Sequence, residues 1–448
     1  MHNQQQAIKE AITSYEAALK RVDEEIVPLQ QTLMALLYGR EGTKNPVSAY
    51  EPKIHLLRAH LSSLADERSD IQGLMNVHRS LVSSIHLIPP EVWAQIFSLC
   101  LPETRYIPWD SKFPPFTLGR VCWRWRAIVL STPELWSSIS LYIPNVSEGK
   151  AHPGWMSLFH AFLDRSGTLP ASFEIIWQPA KYSQDGIFEE FLPTVIPRVI
   201  SRVRHLSLSL PDRFVCMFWE EQMPLLESFR LGNEYTAIME PPTLAGAPRL
   251  RSATFDSIYL QPFVWQLPWS NLTEFTSKSC HLDIQRAVHV LKWCPNLETC
   301  RMRVIPNLHN ALFGVSLSPM DPDEKIVMKS LKSLAITIGT NENVFPLLDA
   351  LNLPVLEHME ISCATSIDVN NGTRRIWPKP YILALVKRSS CQLRRLVFKN
   401  IQPLYDIELK DLVERVPSLV EFDASLDGRD ALHPEIKEVL RRRRALAL

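Results

Sequence analysis

The chain has 448 residues, 46% hydrophobic and 21% charged, the balance of a globular protein with apolar material for two or three domains. Lysine plus arginine and aspartate plus glutamate both number 48, so the formal net charge is zero; nucleic acid is not expected as a partner, because phosphate binding needs a clustered positive excess. No run of about 18 apolar residues exists to span a membrane, residues 1–15 are too polar for a secretory leader, and the eight cysteines lack short regular spacing. A reduced cytoplasmic or nuclear setting with free, mostly buried thiols is the expectation.

Taken in chain order, the first pattern is a helical seam. Ile8, Ile12, Tyr15, Leu19, Val22, Ile26, Leu29, Leu33 and Leu36 step alternately by four and three residues. Pro28 has no amide hydrogen and predicts a kink. Gly39, Gly42, Pro46 and Pro52 mark a break. A second register follows through Ile54, Leu57, Leu61, Leu64, Ile71, Met75, Val82 and Ile85, with Arg68 and His78 at its remaining seam positions. Two such helices on a short link predict an antiparallel hairpin over residues 1–84. The same registers also suit an intermolecular coiled coil, which would make a homodimer through these helices.

Pro89-Pro90-Glu91 then predicts a helix start, since proline is tolerated in a first turn and an acid there complements the helix dipole. Val92, Ile96 and Leu99 share one face of that helix. Pro102, Pro108, Pro114 and Pro115 predict a loop over residues 102–115. Leu118, Val121, Cys122, Trp125 and Val129, broadened by Ile128, form a second helical stripe that ends at Thr132-Pro133. Trp136 suits core packing. Trp123-Arg124-Trp125-Arg126 combines the residue types enriched at interface hot spots.

From Ser137 onward the chain repeats. An anchor, two variable residues and two inward positions separated by one recur behind Val203, Leu226, Leu250, Leu272, Leu297, Leu331, Leu356, Leu393 and Leu419. The anchors are 23, 24, 22, 25, 34, 25, 37 and 26 residues apart. Proline stands two positions before five of them, at Pro224, Pro248, Pro295, Pro354 and Pro417. A strand at fixed phase and this period predicts a leucine-rich-repeat-like solenoid, whose stacked units share one core. Ile139–Ile143 and Ser172–Ile176 read as extra strands. Phe345–Leu351, Tyr381–Val386 and Ile407–Val413 read as intervening helices, and His433–Arg444 as a terminal capping helix. The basic run Arg441–Arg444 reads first as a solvated helix end.

Little else suggests chemistry. Cys280, His281, His289, Cys294 and Cys300 cluster in sequence, but no tight Cys-x-x-Cys knuckle supports a metal site. There is no glycine-rich phosphate loop, no G-x-S-x-G elbow and no H-E-x-x-H pair. No enzyme activity, metal or cofactor is therefore expected.

The order Pro89-Pro90-Glu91, Ile96-Phe97, Val121-Cys122-x-x-Trp125-Arg126 and Pro133-x-Leu135-Trp136 resembles an F-box. The layout around it, heptads before and degenerate repeats behind, is similar to F-box proteins of the type abundant in mushroom-forming (basidiomycete) fungi. Residues 131–141 are close to the wording usual there. Ile88 departs from the usual leucine, and the proline-rich loop lengthens the spacing to Val121. The resemblance covers nearly the whole chain, and it implies a three-helix F-box at about 85–137 that docks to a Skp-family adaptor. Through that adaptor the chain would join a cullin–RING ubiquitin ligase (SCF type). By position, the adaptor-facing residues it implies are Pro89, Pro90, Glu91, Ile96, Phe97, Val121, Cys122 and Trp125.

The expected fold is α/β: a helical hairpin, the F-box, then the solenoid over 138–448 with parallel strands on its concave face and helices outside. The expected function is a substrate-recognition adaptor holding an unknown target protein on the strand face. Residues beside the inward positions point outward there, and Arg230, Asp256, Lys278, Arg301, Arg303, Glu360, Lys399 and Asp423 are the candidates. The alternative is a repeat scaffold for protein interactions without ligase coupling.

Overall fold

The computed structural model describes residues 2–38, 50–82, 85, 88–108, 110–143, 154–177, 186–218, 221–232, 243–256, 266–304, 325–338, 345–363, 378–401, 406–426, 429–430 and 432–447. They fall into two compact units, residues 1–96 and residues 97–448.

The first unit is helical. Helices α1 (His2–Tyr38) and α2 (Glu51–Val82) run antiparallel. Their direction follows from the ion pairs Arg79–Glu16 at 2.6 Å and Arg68–Asp23 at 2.7 Å, with the Tyr15 and His78 rings 5.2 Å apart. Along the seam Val22, Ile54, Leu64 and Met75 are buried, while Ile8, Ile12, Leu19, Ile26, Leu29 and Leu33 are only half-buried. Two helices alone can cover just one side of each stripe. Pro28 does not end α1, which runs through it; the Pro28 carbonyl accepts the Thr32 hydroxyl at 2.8 Å. Pro52 was expected in the break but sits in the first turn of α2, where a missing amide hydrogen costs nothing. Gly39, Gly42 and Pro46 lie outside the described residues.

Helix α3 (Pro90–Leu99) starts where the prolines and Glu91 place it, and the unit boundary falls inside it. Its inward residues are Trp93 and Phe97, one turn apart. Val92, Ile96 and Leu99, the face expected from the apolar pattern, are exposed instead.

The second unit continues with a 3-10 turn at Leu118–Arg120, helix α4 (Trp123–Ser131) and a 3-10 turn at Pro133–Trp136. A large sheet follows. Its first members are β1 (Ser138–Ile143), β2 (Ala171–Trp177), β3 (Val203–Ser209), β4 (Ser228–Leu231), β5 (Ser252–Phe255), β6 (Glu274–Leu282) and β7 (Thr299–Val304). The later strands of the unit are β8 (Ile326–Val327), β9 (Ser333–Ile338), β10 (Leu351–Asn352), β11 (His358–Cys363), β12 (Arg395–Lys399), β13 (Glu421–Leu426) and β14 (Arg429–Asp430). The intervening helices are α5 (Gly154–Ser166), α6 (Gly186–Val199), α7 (Asp212–Val215), α8 (Ile284–Trp293), α9 (Pro346–Asp349), α10 (Lys379–Ser389), α11 (Asp406–Arg415) and, at the end, α12 (Pro434–Ala447). Eleven strands lie parallel and in chain order, β1 to β7, then β9, β11, β12 and β13; β14 adds antiparallel to β13, and β8 pairs with β10 apart. This is an α/β fold compatible with a solenoid.

The repeat pattern explains the sheet. All nine anchors, Val203 to Leu419, are fully buried, and a strand begins at or within two residues of each. The first inward row runs unbroken across the sheet, from Ile139 through Phe173, Leu206, Phe229, Ala253, Phe275, Cys300, Leu334, Met359 and Leu396 to Phe422. The prolines also gain a reason. Leu226, Leu250, Leu297, Leu356 and Leu419 each donate their amide to the carbonyl three residues earlier, closing a tight turn. Proline two before the anchor is the second residue of that turn, where its fixed φ fits. Asn271 and Asn296 side chains then tie each turn to the previous one, at 3.1 and 2.8 Å.

Helices α10 and α11 contain the expected segments, while the stretch after Phe345 yields one turn, α9, and then the short β10. The two longest repeat intervals hold residues 305–324 and 364–377, which lie outside the described residues. Helix α12 closes the stack, and its arginines are engaged. Arg443 donates to the carbonyls of Val413, Val416 and Leu419, capping the end of α11 and the turn after it, and Arg441 and Arg442 pair with Glu438. No helix among the described residues is long and apolar enough to cross a membrane.

Candidate functional site

Two surfaces of the second unit gather the residues singled out by sequence. The first surrounds α4. The stripe from Leu118 to Val129 is not one continuous helix, as expected, because the chain breaks at Cys122. Its backbone is extended (φ −157°, ψ 169°), and its Sγ accepts the Trp125 amide at 3.5 Å, so it acts as the N-cap of α4. The break splits the stripe by burial. Ile128 and Val129 point into the core, whereas Val121 is 60% and Trp123 82% exposed. Trp125 is half-buried against Phe97, ring centroids 4.9 Å apart. Phe97 was expected to face a partner but has no exposed surface; it supports Trp125 from inside. In the first unit Pro89, Pro90, Glu91 and Ile96 are all exposed. Trp136 is core, its indole N–H donating to the Val129 carbonyl at 2.8 Å.

The proline-rich insertion is a loop, but not an independent one. The Ile107 carbonyl accepts the Ser140 amide at 2.8 Å, Pro108 bridges Ser140 in parallel, and the Arg105 carbonyl accepts the Ser138 hydroxyl at 2.6 Å. The segment thus covers the free edge of β1, which would otherwise present unpaired backbone groups. Arg105 also reaches across the sheet to donate to Ser228 Oγ on β4 at 2.7 Å. Burial pushes the Tyr106 hydroxyl up to about 12. Burial, with Arg105 and Arg204 adding repulsion, pushes His205 down to about 4 and keeps it neutral. Sequence reasoning missed Arg105, since its partner Ser228 lies 123 residues away.

The second surface is the outward face of the sheet. Arg230, Arg301, Glu360 and Asp423 share one register row across β4, β7, β11 and β13. Arg303 and Lys399 share the next outward row, and Asp256 and Lys278 each follow an inward residue of β5 and β6. Two pairs are internally matched, Arg230–Asp256 at 2.9 Å and Lys399–Glu360 at 2.8 Å. Asp256 Oδ1 and Arg303 Nε are buried without a hydrogen-bond partner. Arg301, His358, Arg395, Lys399, Glu360 and Asp423 line a shallow groove of about 300 Å³. Such a face offers charge of both signs to a partner and has no nucleophile–base pair among the residues just named.

Of the cysteine and histidine cluster, Cys294 and Cys300 are core residues, and burial pushes the Cys294 thiol up to about 12. The side chains of Cys280 and His281 lie outside the described residues. Among the described residues no three histidine, cysteine or acidic side chains group as a metal site. No protein-family model matches the chain, and no curated protein sequence matches it.

Proposed function

We propose that the chain is a non-catalytic substrate-recognition subunit of an SCF-type ubiquitin ligase. In this reading residues 85–137 are an F-box that docks to a Skp-family adaptor, and residues 138–448 are a leucine-rich-repeat-like solenoid that holds a target protein on its outward strand face. Ligase coupling then works by proximity, raising the effective concentration of target lysines at the conjugating enzyme.

The observation that carries the reading is the exposed Val121–Cys122–Trp123 strip at the start of α4, within the segment that resembles an F-box. A tryptophan left 82% exposed beside an exposed valine is costly to hydrate and is the type of anchor that protein partners cover. Binding of a purified Skp-family adaptor to the full chain tests it. Trp123→Ala and Val121→Asp are expected to weaken binding at least about tenfold, the scale of a hot-spot truncation. Both side chains are exposed, so the unfolding midpoint should not move. Trp125→Ala is a poorer probe because it also removes packing on Phe97. A folded chain that ignores the adaptor at micromolar concentration overturns the reading in favour of a scaffold without ligase coupling.

A further inference from the structure

A cleft of about 500 Å³ opens between residues 111–120, α4 and α5, and the docking reading leaves it unused. Phe116, Val129, Leu130 and Trp136 give it apolar walls. Trp136 is held rigidly: besides its hydrogen bond to Val129, the rings of Phe116 and Phe162 stand edge-on to it, centroids 6.0 and 4.8 Å away. The remaining character is cationic. Arg120, Arg126 and Arg165 line the cleft, and among the described residues no acidic side chain lines it and no carboxylate pairs with any of the three. Arg165 lies over the Trp136 ring, 4.3 Å from its centroid, so its charge is fixed beside the apolar floor. Arg126 and Leu130 are one turn apart on α4, which puts charge and apolar surface on the same helix face.

We infer that this cleft binds a small amphipathic anion, an apolar ring or chain bearing a carboxylate. Three like charges lining one cleft with no counter-charge among the described residues favour an anion, and a carboxylate there would accept paired guanidinium hydrogen bonds. The apolar body would displace water from Leu130 and Phe116, the lining residues that keep exposed apolar surface. A neutral ligand gains only the second effect, and a cation is repelled. The volume lies within the usual range of small-ligand pockets and accommodates a bicyclic aromatic acid.

Calorimetric titration of the full chain with 1-naphthoate and with its neutral isostere 1-naphthamide tests the inference. One equivalent of naphthoate should bind, with the amide at least about tenfold weaker. Arg126→Gln and Arg165→Gln should each weaken naphthoate about fivefold or more and leave the amide unchanged. Added salt should weaken the acid alone. Equal affinity for acid and amide overturns the inference. So does acid binding indifferent to both substitutions in folded protein, or no binding of either compound at about millimolar concentration.

Discussion

Cys122 shows how one side chain sets what its neighbours do. By turning its sulfur back onto the Trp125 amide it starts α4 at Trp123 rather than at Leu118, where the apolar stripe begins, and Val121 and Trp123 are left facing outward. The thiols divide in the same way. Cys100 and Cys122 are exposed, while Cys294 and Cys300 are fully buried, and burial raises both of their thiols far above the ordinary value. Since only the thiolate is nucleophilic, iodoacetamide near neutral pH should alkylate Cys100 and Cys122 in folded protein and spare Cys294 and Cys300 until denaturant is added. Peptide mass spectrometry reads this directly; rapid native modification of Cys300 would mean that the inward row is not packed as described. Cys122 was legible as part of an apolar stripe, but its capping role depends on a backbone angle that the stripe does not encode.

At the scale of the element, the unit is a turn, an anchor and a strand. The anchor closes the turn with its amide and fills the core with its side chain, and the next repeat covers it. Leu297→Ala should therefore cost about 2–5 kcal/mol, the range for a fully buried leucine whose site cannot collapse. Stacked repeats couple mainly to their neighbours, so hydrogen exchange should rise first in β6, β7 and β9 and least in β1 and β2. A uniform loss across all strands would contradict the nearest-neighbour picture. The phase of these strands was readable because buried leucine and turn proline are both local signals. The helices were less so. The segment after Phe345 has helical spacing, yet β10 pairs with β8 and claims its last residue, Leu351, a choice made by a strand some 25 residues earlier in the chain.

At the scale of the molecule, the two units differ in how much of their apolar pattern they cover. The seam of α1 and α2 is mostly half-buried, whereas the core of residues 97–448 is continuous from β1 to β13. Thermal unfolding should accordingly be biphasic, with helical circular dichroism lost first and the near-ultraviolet signal of the larger unit later. If the helices pair with a second copy, the first midpoint will rise with protein concentration. A single transition, coincident by both probes, would contradict the difference in burial.

The sequence by itself determined the inward rows, the turn prolines, the start of α3 and the outward placement of the charged candidates. Each follows from local spacing and from alternation along a strand. Only the tertiary structure decided that Phe97 lies inside, that the proline-rich insertion covers the edge of β1 and reaches β4, and that Arg120, Arg126 and Arg165 line one cleft. Those arrangements join residues far apart in the chain, and no local periodicity encodes which distant surface a loop or a side chain will cover.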